Sequence, residues 1–482
     1  MKNTFIRFLL ATLAITIFSC SPEDGEDGTN GIDGIDGTNG ADGTSNGLGI
    51  IAFSADVTNE EAASIIAENA GKNTHTIIVT NTTNLTTLDV SSISNLVILN
   101  VFNNEKLQSI SLSNLKSIIE SATINSNPVL ENINFENLKT SLGNFSISNN
   151  NMLNTINLNN IIDAQRISIS NNMALENIDL PLLSKVGLLT ISNQENLTNL
   201  TFPNLMEISS FSFSNNDMIE EFSLPESITT DPENLGSFSI NGNQALKTIV
   251  LTNISNAGRI SIGSNPNLTS LILDDLVSAN SSIRITSNIL LNTVSFASLQ
   301  NTLSIDISRN EALASINFDA LQQVNSTISI IDNAALQALS FPLLTLVGDE
   351  FRGRITMRDN DLLNTISFPN LETLGQISSS SIDIRANTLE SIDLNKLAVV
   401  TDFRLFSTTT LTTANLSSIQ DFDSISLSRL ASTEIDGLIT RLVNITPLLT
   451  GKRISLRGTA SSQAITDIET LRTNGNTISI RD

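Results

Sequence analysis

The chain has 482 residues, a formal net charge of −24, 20 phenylalanines and neither tryptophan nor tyrosine. Long-range repulsion argues against nucleic acid and an anionic lipid surface as partners of so acidic a chain. His75 is the only histidine and Cys20 the only cysteine, which removes the material for an internal disulfide, a zinc cluster or a Cys/His pair, so no metal or cofactor is expected.

Residues 1–19 have the layout of an export signal. Lys2 and Arg7 form a basic start, and Phe8 to Phe18 is an apolar run too short to cross a bilayer. Ile17-Phe18-Ser19-Cys20 closes that run and resembles a bacterial lipobox, which implies lipidation of Cys20 and anchorage by acyl chains. The acidic Ser21-Pro22-Glu23-Asp24 that follows resembles the export signal of surface lipoproteins in Bacteroidetes. The expected location is therefore the outer membrane, lipid-anchored and facing the cell exterior, with no membrane contact beyond the anchor.

Residues 20–47 carry glycine at every third position from Gly25 to Gly43, the collagen period, with Asp and Asn between. None of these triplets contains proline. A triple helix so poor in preorganised residues is disfavoured against a flexible, self-repelling acidic tether.

Residues 48–78 are assigned to an N-terminal cap. Thr58 with Glu61 forms a capping box for a short helix, Glu60 to Ala70, stopped by Gly71. His75 reads as a residue of this cap.

From residue 79 to 430 one pattern recurs, as in Ile167-Ser-Ile169-Ser-Asn-Asn172-Met-Ala-Leu175-Glu-Asn-Ile178-Asp-Leu180. The position of Asn172 recurs at Thr82, Asn104, Asn127, Asn150, Gln194, Asn216, Asn243, Asn265, Asn288, Asn310, Asn333, Asn360, Asn387 and Thr408, mostly at steps of 22 or 23 residues. A period of that size marks a solenoid. Apolar residues alternate in two short runs per period, which is strand spacing. Each coil is expected to supply two strands to two parallel sheets, and a lone coil could not bury its own apolar face. Twelve of the fifteen marker positions are Asn; their amides are expected to bond backbone groups at the bend of each coil.

The Ile-x-Ile-x-x-Asn-x-x-Leu stretches at residues 147–153, 169–175 and 307–313 resemble receptor L-domains and bacterial leucine-rich-repeat surface proteins. The resemblance implies a mainly β, right-handed parallel β-solenoid of about fifteen coils with small α/β caps, and a role in recognition. This chain lacks the cysteines of receptor L-domains and stacks more coils, so no receptor ligand is carried over.

Residues 431–482 are assigned to a C-terminal cap. Ser432 to Asn444 places Ile435, Leu438, Ile439 and Leu442 on one helical face. An extended Arg453 to Leu456, a second helix near Ala464 to Arg472, Gly475 as its stop and a last strand from Thr477 to Ile480 complete it.

Outward positions of the first strand form the candidate working surface. They are hydroxyls in the middle of the array, from Ser146 and Ser148 to Ser239 and Asn241, and become charged toward the end at Arg284, Asp306, Arg354, Arg358, Asp383, Arg385 and Arg404. Arg358 and Arg385 occupy equivalent positions on successive coils, ~4.8 Å apart, which is unfavourable unless an anion or carboxylate lies between them. Two steps of 27 residues also fall here, and insertions on one edge of a solenoid often mark the working surface. The expected function is a non-catalytic recognition or adhesion module, with Arg354, Arg358, Asp383, Arg385 and Arg404 as its binding residues and a surface protein or glycan as ligand. The alternatives are a carbohydrate-active β-helix hydrolase or lyase using paired carboxylates, and a structural coat protein; the missing Trp and Tyr weigh against the enzyme.

Overall fold

Wherever apolar residues alternate with polar ones, an extended chain buries one face and solvates the other. In the computed structural model, which describes residues 46–226, 228–229, 236–348, 352–375 and 380–481, these segments build a parallel β-solenoid of about 18 turns with two small helical caps. Ser45–Asp482 is one compact unit. The signal, Cys20 and most of the glycine-rich segment lie outside the described residues.

Among the described residues the main sheet has 21 strands, paired in parallel so that equivalent residues stack. Phe145, Ile167, Leu189 and Phe211 share one inward column, and Ile147, Ile169, Ile191 and Phe213 the next. Two tight turns close each coil. In the coil of Ile167, the Leu175 N–H donates to the Asn172 carbonyl at 3.1 Å and the Leu183 N–H to the Leu180 carbonyl at 3.2 Å. Between these turns runs the second-face strand Asn177–Asp179.

The second face departs from the expectation of one continuous sheet. Among the described residues it consists of four separate ladders of 4, 2, 5 and 4 strands. Its strands have three residues each, for example Thr155–Asn157 and Asn177–Asp179, so few ladder bonds join neighbours and a small change of twist interrupts the pairing. The turn count also exceeds fifteen, because Ile50–Ala55, Arg453–Arg457 and Thr477–Arg481 of the caps add rungs to the main sheet.

The core is a continuous aliphatic column; Ile167, Ile169, Leu175, Leu180 and Leu183 are all fully buried. Each such side chain contributes on the order of 1.5–3 kcal/mol by leaving water. Four successive coils place phenylalanine at one inward position, and Phe296, Phe318, Phe341 and Phe368 stack with centroid separations of 5.4, 4.8 and 4.6 Å.

The helices of both caps bury apolar residues that a solenoid end would expose. The helix Asn59–Asn69 begins with the expected capping box: the Glu61 N–H donates to Thr58 Oγ1 at 3.2 Å, and the Thr58 N–H to Glu61 Oε2 at 2.9 Å. Its buried residues are Ala62 and Ile66. At the other end, Ser432–Val443 buries Ile435, Leu438, Ile439 and Leu442. Glu434 of this helix accepts from the Ala414 N–H at 2.9 Å, and so covers the outer edge of the last second-face strand, Thr413–Asn415. The helix Ser462–Thr473 and the strand Thr477–Arg481 follow.

The two late 27-residue steps split main-sheet strands in two. Leu346–Val347 is separated from Arg354–Arg358, and Thr373–Leu374 from Ser381–Arg385. The bases of the two insertions touch: a Cβ on Gly353 would lie 2.4 Å from the Val347 carbonyl oxygen and 2.6 Å from the Gly375 nitrogen. Only glycine fits there.

Candidate functional site: the outer face of the main sheet

The marker asparagines form a buried ladder under one edge of this sheet. Thr82, Gln194 and every marker Asn from Asn104 to Asn360 are at most 1% exposed. The bonding repeats: Asn127 Oδ1 accepts from the backbone N–H of Asn104 at 3.2 Å and from its side-chain amide at 2.8 Å, while Asn127 Nδ2 donates to the Val101 carbonyl at 3.2 Å. Each amide thus satisfies backbone groups of the coil before it, at the bend where they leave the sheet. The row is sealed inside and offers nothing to a ligand.

Asn387 and Thr408 do not belong to it. Both are exposed, and Asn387 instead donates to Asp361 Oδ1 at 2.8 Å. The reason is a one-residue shortening: Leu389 follows Asn387 by two positions, where Leu363 follows Asn360 by three. Ala386 and Ser407 fill the inward position there.

The residue before each ladder position is left-handed. Asn81, Asn103, Ser126, Asn149, Asn171, Asn193, Asn215, Ser264, Ser287, Arg309, Asp332 and Asp359 have φ between 53° and 61°. Asn, Asp and Ser, with Gly242 before Asn243, hold that place everywhere but Arg309, since glycine and short polar side chains tolerate this conformation best.

The outer face presents three columns of side chains whose character changes along the array. At the amino-terminal end they are largely apolar, with Ile50, Ala52, Ile78, Ile98 and Phe102. Hydroxyls follow, such as Ser146, Ser168, Thr190 and Ser212 in the central column. Arg284 and Asp306 then pair on adjacent rungs at 3.0 Å.

Three consecutive strands next form a charged array of three by three positions. Arg354, Ser381 and Asp402 make the first column, Thr356, Asp383 and Arg404 the second, and Arg358, Arg385 and Phe406 the third. A depression of about 290 Å³ lies over the first two columns and Arg358.

Asp383 is the hub. Its Oδ2 pairs with Arg358 and its Oδ1 lies 3.4 Å from Arg385 Nε; its side chain is only 14% exposed. It neutralises the repulsion between two guanidinium groups that the register sets side by side. Among the described residues, Arg404 on the next rung has no ion pair, and neither has Arg354. Asp402 Oδ1 accepts from Ser424 Oγ at 2.7 Å. Arg358 Nε is buried without a hydrogen-bond partner. Four arginines against two aspartates give these rungs a local positive excess within a chain of net charge −24.

The sequence-derived residues Arg354, Arg358, Asp383, Arg385 and Arg404 are therefore brought together on one surface. Asp402 and Phe406 of the same array were missed. Phe406 is 44% exposed, and the Arg385 guanidinium lies over its ring at 5.8 Å. Its place two residues after Arg404 in the strand, outward like Arg385, was the available signal.

Other depressions lie elsewhere. One of about 530 Å³ lies between the strand Thr413–Asn415 and the helix Ser432–Val443; another, of about 450 Å³, surrounds Arg284 and Asp306. His75 Nδ1 is 2.8 Å from Thr76 Oγ1 within the N-terminal cap. Among the described residues no group of three His, Cys, Asp or Glu side chains is placed to hold a metal. Nor is any of their helices long and apolar enough to cross a membrane.

No protein-family model and no curated protein matches the chain. Among solved structures it is similar to the crystal structure of the pneumococcal vaccine antigen PcpA, at 13% identity and a TM-score of 0.20, over 82% of this chain and 89% of that one.

Proposed function

We propose that this protein is a non-catalytic recognition or adhesion module of the bacterial surface, anchored through a lipid on Cys20, held away from the membrane by its glycine-rich acidic segment, and engaging its partner through the outer face of the main sheet. The observation that carries this reading is the array around Asp383: a flat, rigid, solvent-facing surface where cations collect on an otherwise acidic chain. Flat sheets position side chains without the entropy cost of ordering a loop. The test is capture of host and matrix proteins and of glycans on the purified chain, with turnover monitored. Arg358→Ser combined with Arg385→Ser should lower capture at least tenfold; unaltered capture removes the reading. Metabolic incorporation of a labelled fatty acid, abolished by Cys20→Ala, tests the anchor separately.

One observation favours a structural coat as a second reading. Among the described residues, Ile50–Ala55 pairs only with Thr76–Thr82, and Thr477–Arg481 only with Arg453–Arg457, so each end leaves one parallel edge open to another copy. Sedimentation that rises with protein concentration would support it; a monomer at every concentration would not.

A further inference from the structure

We infer that the array on strands Arg354–Arg358, Ser381–Arg385 and Val399–Phe406 is a binding site for an acidic polysaccharide, with Arg354 and Arg404 taking its acid groups and Phe406 taking a sugar ring. The inference rests on the recognition reading above and adds the ligand's chemical class.

Three features converge. The first is unspent positive charge. Asp383 is held by Arg358 and Arg385, and among the described residues the exposed guanidinium groups of Arg354 and Arg404 have no ion pair, so each is open to a planar acid group, which such a fork binds through two parallel hydrogen bonds. They stand two rungs and one column apart, on the order of 12 Å from the spacings of a parallel sheet. That separation suits acid groups on different residues of one polymer rather than a single small anion.

The second feature is apolar. Sugar rings carry a C–H face that packs on aromatic rings. In a chain without Trp or Tyr, Phe406 is the exposed aromatic of this surface, and Arg385 sits against it. An acidic sugar lying on Phe406 would place its charge among Arg385 and Arg404. Duplex nucleic acid keeps its rings stacked inside and carries one charge per about 1.7 Å, a density that the total charge of −24 opposes at long range; a single-stranded sugar polymer leaves its rings free for Phe406 and is repelled less.

The third feature is form. The columns are open along the solenoid axis, with Ser424 and Ser426 on the following rung and Thr327 and Ser329 on the preceding one. An extended chain can cross several rungs and continue over hydroxyls.

The experiment uses the full chain, with polygalacturonate as a carboxylate polymer, dextran sulfate as a sulfate polymer and neutral dextran as the uncharged control, read by affinity electrophoresis and calorimetry. At least one acidic polymer should bind, dextran should not, and the two arms show which acid group is preferred. Arg354→Ser with Arg404→Ser should weaken binding at least tenfold, the lysine replacements should restore part of it, and far-UV circular dichroism should be unchanged. Phe406→Ala should weaken polymer binding about fivefold while leaving competition by inorganic sulfate unaltered.

Failure of both acidic polymers, equal binding of dextran, or indifference to the arginine replacements would each overturn the inference. Loss in the arginine variants with none in Phe406→Ala would also overturn it, by reducing the site to a bare anion contact. If the polymers fail while the chain still captures a surface partner through Arg358 and Arg385, only the ligand class is wrong; if capture fails too, both readings fall.

Discussion

Asn288 hands both its backbone N–H and its side-chain amide to a single atom of Asn310, the Oδ1, at 3.0 and 3.3 Å. Asn310 in turn donates to the Ile285 carbonyl at 2.9 Å, and the residue is fully buried. Replacement by alanine strands the Asn288 N–H in the interior, an expected cost of about 1–3 kcal/mol. Aspartate should be worse, because it sets an anion against the Ile285 carbonyl. Amide exchange at Asn288, measured in Asn310→Ala, should accelerate locally while the terminal coils keep their protection.

Asn171, at φ 53°, tests the left-handed column. Glycine there should change stability by less than about 0.5 kcal/mol, and valine should cost about 1–2 kcal/mol because its Cβ meets the following carbonyl. Urea denaturation of the two variants makes the comparison at one site with no change of core contacts.

Phe341 stacks between Phe318 and Phe368 at 4.8 and 4.6 Å. Phe341→Ala should lose about 3–5 kcal/mol by opening a void across three coils. Phe341→Leu, matching the residue used at Leu394 and Leu416, should lose much less. Thermal unfolding of both variants separates the contribution of the stack from that of simple filling.

Asp383→Asn removes the charge shared by Arg358 and Arg385. The variant should be less stable by about 1.5–3 kcal/mol, in line with lost hydrogen bonds to a charged group, and added salt should recover part of the loss by screening the exposed guanidinium groups. The Lys247–Glu220 pair is also close, at 2.8 Å, yet both side chains are more than half exposed, so Lys247→Met should cost less than about 1 kcal/mol. Denaturation at low and high salt distinguishes the two.

Much of this architecture was legible because the period is written twice, once in the aliphatics and once in the asparagines. Ile167 and Ile169 announce a strand, Asn172 its bend, and Thr58 with Glu61 the first helix. What escaped depends on single-residue arithmetic or on neighbours far away in sequence. Asn387 carries the right residue type, but Leu389 comes one position early and turns it outward. The second face was expected to be continuous because its pattern, Ile178 to Leu180, is as regular as the first; three residues are too few to enforce pairing everywhere. The arginines of the charged face could be found by alternation alone. That Asp383 would contact Arg358 and Arg385, with Arg354 and Arg404 unpaired among the described residues, follows from which side-chain atoms reach which neighbour, and strand spacing does not contain that.

The asparagine row also has a direction, since the backbone N–H of each ladder residue is accepted by the side-chain oxygen of the coil that follows it. During synthesis the newest coil on a ribosome-bound chain therefore has a bend whose N–H still awaits its acceptor, and the next coil supplies it. Completion advances from the amino terminus one coil at a time, so a chain released early ends on a half-finished bend, whereas one trimmed from the front retains a finished bend at its rear and only an idle amide at its new start.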